Sequence, residues 1–265
     1  MIQRRLALFV GLLLFTTIPA LATPLISVGF STWSTGITGT VRDTASNLNT
    51  NVNLENDLHI GHHLNSSIHV AFDNPLPLLP SLRLSYDRIL SNGAGTTQQS
   101  FVFGGNTYIA NAQTQGRALL KQGSALFFWT PLDNPLVDVR LGFEIRWMEM
   151  NVAVSGQGTT TAPGGIGQPF QAHGSAGGVV WLPMVNAGFT WHLPAGLDIS
   201  SDGSLVRFGS SYLYDARVGV GYSFGPGLTA SLGYRRMRMH LDSARIGLSG
   251  AVQFSGMYAG LGWHF

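Results

Sequence analysis

Tyr214-Asp215-Ala216-Arg217-Val218-Gly219-Val220-Gly221-Tyr222-Ser223-Phe224 alternates without a break. Tyr214, Ala216, Val218, Val220, Tyr222 and Phe224 fall on one face, and Asp215, Arg217, Gly219, Gly221 and Ser223 on the other. Gly225-Pro226-Gly227 then turns the chain, and Leu228, Ala230, Leu232 and Tyr234 alternate with Thr229, Ser231, Gly233 and Arg235. A period of two marks a strand, whose successive side chains point to opposite faces. The two segments read as an antiparallel hairpin with one apolar face and one face of small, polar and charged residues.

The same alternation recurs upstream. Val137, Val139, Leu141, Phe143, Ile145 and Trp147 oppose Asp138, Arg140, Gly142, Glu144 and Arg146. Leu82, Leu84 and Tyr86 oppose Arg83, Ser85 and Asp87. Short, mostly proline-rich connections at Asn74–Pro80, Pro131–Pro135, Leu193–Gly196 and Phe224–Gly227 interleave with long polar ones near 36–63, 92–116, 152–177 and 241–252, and a shorter one near 204–211. Proline cannot continue a ladder, so the short connections are turns. The pattern predicts strands near 25–35, 65–73, 80–91, 117–130, 136–151, 178–192, 196–203, 212–224, 228–240 and 252–265. The segment at 196–203 alternates least clearly, and without it and a partner the count is eight.

Composition narrows the environment. Only 11% of the residues are charged and 34 are glycine, where soluble domains carry about 25% charged residues. The chain has no cysteine. Arg4 and Arg5, the apolar run Leu6–Ile18 and Ala20-Leu21-Ala22 have the three parts of a cleaved secretory signal over residues 1–22. Beyond it no apolar run is long enough for a transmembrane helix. A chain with few charges and alternating strands satisfies its backbone in lipid by closing into a barrel. The expected fold is therefore all-β, a transmembrane antiparallel up-and-down β-barrel over residues 23–265, with ten strands or alternatively eight. Short turns face the periplasm and long loops the outside, which places it in the outer membrane of a Gram-negative bacterium. Without Arg4 and Arg5 the basic and acidic residues balance at 13 each, so no basic field invites nucleic acid.

Several stretches resemble a family of uncharacterised proteobacterial outer-membrane barrels. They are Phe72-Asp73-Asn74-Pro75-Leu76-Pro77-Leu78-Leu79-Pro80-Ser81-Leu82-Arg83-Leu84, Ser210-Ser211-Tyr212-Leu213-Tyr214-Asp215 and Gly233-Tyr234-Arg235-Arg236. The resemblance covers most of the chain after residue 22 and implies the barrel but no activity. The histidine-rich first loop departs from it, since an acidic stretch is expected there.

Four sets of residues follow from the expected barrel. Trp33, Trp147 and Trp181 fall toward the outer ends of strands and Trp129, Trp191 and Trp263 toward the periplasmic ends, as aromatic girdles require. The final strand carries Tyr258, Gly260, Trp263 and Phe265, a pattern that resembles the outer-membrane assembly signal read through strand pairing. In the lumen, Arg83, Arg140, Arg146, Arg217 and Arg235 face Asp87, Glu144 and Asp215, with Asp138 near the periplasmic rim. A narrow lumen filled by interlocked ion pairs is a plug; an arginine excess in an open one favours anions. The first outer loop holds Asp57, His59, His62 and His63, with His69 beyond, and reads as a solvated loop that is at most a weak metal site. The glycine-rich, uncharged loop 152–177 reads as flexible coil.

The expected function is structural or surface-binding, through the outer loops, without enzyme activity or cofactor. The expected partners are outer-membrane lipid, lipopolysaccharide and, during biogenesis, the barrel-assembly machinery and periplasmic chaperones, with the protein a monomer. Two alternatives stand beside it. One is a narrow pore for small solutes or anions. The other is a rim hydrolase of omptin-like or lipid-modifying type, for which His240 and Asp242, or Asp57 and His59, would supply the rim pair.

Overall fold

A computed structural model describes residues 26–44, 51–76, 78–159, 169–225, 227–243 and 248–265. The expected signal segment lies outside the described residues. Ten long strands form one closed antiparallel barrel, so the eight-strand alternative falls. They are β1 (Ile26–Asp43), β3 (His63–Phe72), β4 (Ser81–Thr96), β7 (Gln113–Asp133), β8 (Val137–Thr159), β9 (Pro169–Leu193), β10 (Leu197–Phe208), β11 (Ser211–Ser223), β12 (Leu228–Ser243) and β13 (Leu248–His264). Three short strands lie off the wall: β2 (Val52–Asn53), β5 (Phe101–Phe103) and β6 (Asn106–Tyr108).

Each wall strand pairs with its sequence neighbours, and β13 closes the ring on β1 from Ser27↔His264 to Asp43↔Leu248. Closure leaves no open edge in lipid. The weakly alternating 196–203 segment is a full member, because β10 pairs along β11 from Leu197↔Tyr222 to Phe208↔Ser211. The periplasmic turns are short. Asn74 Oδ1 accepts from the Leu76 amide, and Asn134 Oδ1 accepts from the amides of Leu136 and Val137. Pro131 does not begin a turn as expected. It sits in β7 at a register shift between Trp129 and Leu132, where a missing donor breaks no ladder bond.

The outer loops are shorter than composition suggested, because the strands run on past the expected membrane edge. Most of the expected coil at 152–177 is strand: Val152↔Ala176 through Thr159↔Pro169 continue the β8–β9 ladder. Only 160–168 lies outside the described residues. Glycine and alanine suit these positions because a hairpin packs closely on them. A Cβ on Gly174 would come within 2.6 Å of the Phe103 carbonyl oxygen and 3.1 Å of the Tyr108 hydroxyl.

The outward face is apolar in a band. On β9 it reads Trp181, Val185, Phe189 and Trp191, all exposed. From Trp181 to Trp191 the strand rises about 33 Å, which at a tilt of about 40° projects to about 25 Å, the usual height of a lipid-facing band. Trp147 pairs with Trp181 at the outer edge, and Trp129, Trp191 and Trp263 are exposed near the periplasmic edge. Trp33 departs from the expected girdle. It is 3% exposed and points into the lumen, because Ile26, Val28 and Phe30 face outward and odd positions therefore face inward.

Candidate functional site

The lumen has three layers. The outermost is an apolar plug, where the alternation predicted a polar lumen. Inward positions above the membrane midplane are Ile37, Val41, Leu120, Met148, Met150, Val152, Leu213, Met237, Met239, Val252 and Phe254, all buried. The first outer loop folds back into the barrel, so the expected solvated loop is a plug. Val52 pairs with Val41, and Leu54, Leu58 and Ile60 are buried among the wall residues. Asn53 fixes this reversal, its Oδ1 accepting from the amides of Glu55 and Asn56 while its own amide donates to Asp57 Oδ2. The β5–β6 hairpin caps the plug with buried Phe101, Phe103 and Tyr108. Gly104 and Gly105, with φ of 57° and 76°, make the two-residue turn that positive φ permits. The Tyr108 hydroxyl donates to the Val154 carbonyl at 2.9 Å, and burial pushes its pKa up to about 12.

Beneath the plug lies a layer of ion pairs. Arg146 donates to Glu144 at 2.7 Å and to Asp215 at 2.9 Å. Arg235 donates to both oxygens of Asp215, at 3.0 and 2.8 Å, and to Asp87 at 2.8 Å. Gln122 donates to Asp87 and Ser204 to Glu144. The Trp33 ring covers the Arg235 guanidinium, with 4.5 Å between Cζ and the ring centroid. Alternate positions of β4, β8, β11 and β12 supply these charges at one level. Mutual neutralisation makes such a buried cluster tolerable.

The third layer is a cavity of about 250 Å³ below the ion pairs, among lumen-facing residues near the periplasmic ends of the strands. Arg83, Arg140 and Arg217 line it, from β4, β8 and β11. The sequence placed all three in interlocked pairs, and here the structure differs. Arg217 stands 4.0 Å from Asp87 and Arg140 3.9 Å from Asp202. Arg83 has no ion pair among the described residues and lies 5.6 Å from the Phe128 ring centroid. Nε of Arg83 and Nε of Arg140 are buried without a hydrogen-bond partner. Asp202, which Asn186 holds through a 3.3 Å hydrogen bond, is a lumen residue the sequence reading missed. Its weakly patterned strand hid it. At the rim, both ring nitrogens of His192 face carboxylates, Asp198 at 2.7 Å and Asp138 at 2.8 Å.

The remaining candidates do not converge. His59 packs beside Gly95 and His62 beside Gly36, while His63 Nε2 lies 2.9 Å from the Asn92 carbonyl oxygen. Among the described residues no group of three His, Cys, Asp or Glu side chains is placed to hold a metal. His240 stacks on Tyr212 at 5.7 Å, and Asp242 accepts from Ser210 and through its amide bonds Ser211. Asp57 accepts from the Asn53 amide. Alternation also splits the terminal motif: Trp263 and Phe265 are exposed outward, whereas Tyr258 and Gly260 line the cavity.

A closed ring of ten strands, an apolar outer band and aromatic edges together decide the class. The chain folds as an outer-membrane β-barrel. No family model matches it and no curated protein matches it in sequence. Among solved structures, the outer membrane protease OmpT from Escherichia coli aligns with a TM-score of 0.55 at 11% identity, over 91% of this chain and 96% of that one. The translocator domain of the autotransporter NalP from Neisseria meningitidis aligns at 0.45 with 14% identity, over 99% and 97%. The Pseudomonas putida toluene transporter TodX aligns at 0.40 with 8% identity, over 91% and 90%. At 11% identity the likeness to OmpT is one of fold.

Proposed function

We propose that the protein is a closed barrel with a structural or surface-binding role at the outer rim, and that it does not conduct. The observation that carries this reading is the apolar plug. Leu54, Leu58, Phe101 and Tyr108 come from two different outer loops, yet all are buried against wall residues. A void of about 10 Å³ among Ile37, Val41, Leu54, Leu120, Met150, Val252 and Phe254 is at the lower limit for one water, and its lining is apolar. Ions have no hydrated path through such a layer, so the arginines below it do not serve a through-going anion pore. The rim-hydrolase alternative finds no support in His240 and Asp242, which are engaged with separate neighbours. The test is planar-bilayer conductance of the refolded barrel, which is expected to be silent.

The outer rim offers the binding chemistry. Exposed Arg88, Arg207 and Arg236 each follow, two residues on, an exposed apolar residue of the lipid band, namely Tyr86, Leu205 and Tyr234. Guanidiniums at that height suit the phosphates of lipopolysaccharide. The same reading takes the protein as a monomer, delivered by chaperones and inserted by the assembly machinery through the terminal strand. It also keeps the resemblance to uncharacterised proteobacterial barrels. Deletion of Phe265 is expected to lower outer-membrane levels, and unchanged levels would remove the assembly role.

A further inference from the structure

We infer that the periplasm-facing cavity is a binding site for a small phosphate-type oxyanion. Four arginines line it; Arg235 is committed to the ion pairs above, and the other three come from three separate strands: Arg83 on β4, Arg140 on β8 and Arg217 on β11. None of these three makes a hydrogen bond to another described residue, although a guanidinium is a fork of donors with no acceptor. The carboxylates that could satisfy them are engaged elsewhere. Asp215 and Glu144 are taken by Arg146 and Arg235, and Asp87 bonds Arg235 and Gln122 through Oδ2 and stands no closer than 4.0 Å to Arg217. Asp202 is the one carboxylate lining the cavity, 3.9 Å from Arg140. Arg83, Arg140 and Arg217 thus have Asp202 inside the cavity and only the 4.0 Å approach of Asp87 beyond it. The layer directly above has the opposite balance, with Arg146 and Arg235 against Glu144, Asp215 and Asp87.

The geometry selects the ligand class. A single carboxylate accepts one guanidinium fork, whereas a tetrahedral oxyanion presents oxygens in several directions and can accept from forks on different sides. Ser200, Thr229, Ser231 and the Tyr258 hydroxyl add neutral partners around the same space. At about 250 Å³ the cavity is smaller than the clefts of about 300–1,000 Å³ that hold drug-sized ligands. The plug closes it outward, so the ligand enters and leaves on the periplasmic side. The cavity is thus a blind pocket and not a stage of a transport path.

Glycines keep the space open. Gly188 lies where a Cβ would stand 3.1 Å from both Arg140 Nε and Asp202 Oδ2. Gly262 lies near the mouth. A Cβ added there would have no neighbour closer than the Val28 carbonyl oxygen at 4.0 Å, and its φ is ordinary. A side chain introduced at Gly262 therefore fills the cavity without strain in the wall.

The test is titration calorimetry of the refolded barrel, in uncharged detergent and low chloride, with inorganic phosphate and with glycerol 1-phosphate. Saturable binding of inorganic phosphate at one site per barrel is expected, weakened about tenfold or more by each of Arg83→Gln, Arg140→Gln and Arg217→Gln. Binding of inorganic phosphate alone identifies the free ion as the ligand; binding of both identifies a phosphate group on a larger periplasmic molecule. Either supports the site. Gly262→Leu leaves every arginine in place and is expected to abolish binding while the heat-modifiable migration of a folded barrel is kept, which separates occupancy from folding. Lys121→Gln, which removes an outward-facing ion pair with Glu149 far from the cavity, is expected to bind as the parent does. No saturable binding by the folded parent, or binding unchanged in both Gly262→Leu and the arginine variants, overturns the proposal. Neither result depends on whether the barrel conducts.

Discussion

The guanidinium of Arg235 lies over the ring of Trp33, with Cζ 4.5 Å from the ring centroid, so the indole covers the ion-pair layer on the side of β1. Arg235 also holds Asp215 and Asp87, which lie on two other strands. Arg235→Met removes the charge at the centre of this layer and leaves two buried carboxylates short of a partner. A loss of about 3–5 kcal/mol is expected in urea unfolding in lipid vesicles. Trp33→Leu keeps the ion pairs and costs about 2 kcal/mol through the lost cation–π contact and the lost hydrogen bond from Nε1 to the Gly256 carbonyl. Arg217→Gln, whose nearest carboxylate is 4.0 Å away, has a small effect on stability. Equal losses in all three would show that the layer has no centre.

Tyr258 depends on two facing glycines. Gly219 and Gly233 are register partners on β11 and β12, and the tyrosine ring lies over both. A Cβ at Gly233 would meet the Val218 carbonyl oxygen at 2.3 Å and the Gly219 Cα at 2.7 Å, which are backbone atoms that cannot step aside. Gly233→Ala is expected to open the β11–β12 ladder and abolish heat-modifiable migration. Gly262→Ala, with its nearest contact at 4.0 Å, folds as the parent does.

The hairpin plug carries a pH signature. Tyr108 is buried, donates to the Val154 carbonyl and has its pKa raised to about 12 from an ordinary value of 10.0. The phenol therefore ionises in the undocked hairpin before it ionises in the docked one. Docking is strengthened by this group below about pH 10 and loses that support as pH rises toward about 12. Phenolate absorbance should show one late-titrating tyrosine that Tyr108→Phe removes. The same substitution costs about 1 kcal/mol for the hydrogen bond. A titration unchanged by Tyr108→Phe contradicts the buried placement.

The outer arginine belt makes a lipid-specific claim. The combined Arg88→Gln, Arg207→Gln and Arg236→Gln variant is expected to lose most of the thermal stabilisation that added lipopolysaccharide confers on the parent. It should unfold like the parent in neutral detergent. Undiminished stabilisation would remove lipopolysaccharide from the proposed partners.

Much of the barrel was legible because period-two alternation and turn chemistry are local properties. All ten expected strands are present, and the weak one at 196–203 is completed by pairing with β11, which only the neighbour supplies. Trp33 was misplaced although its parity with Ser27, Gly29 and Ser31 put it inside; judging it by distance from the strand end ignored that parity. The plug was harder to see. Val52, Leu54, Leu58 and Ile60 lie in a segment of Asn, Glu, Asp and His, so composition suggested solvent exposure. Phe103-Gly104-Gly105-Asn106, by contrast, carried a hairpin signal in plain view. The charged lumen residues were found by alternation. Which of them pair depends on the stagger of strands far apart in sequence, so the loose pairing of Arg83, Arg140 and Arg217 was not readable.

The most direct test of closure is single-channel recording from the refolded protein in planar bilayers, after heat-modifiable migration has shown it to be folded. Silence in potassium chloride and in potassium phosphate is the expected result, because the apolar layer around Leu54, Met150 and Phe254 has no room for hydrated ions. Steady unitary conductance, altered by Arg140→Gln or Arg217→Gln, would contradict the closed barrel and make the arginines part of a conducting path.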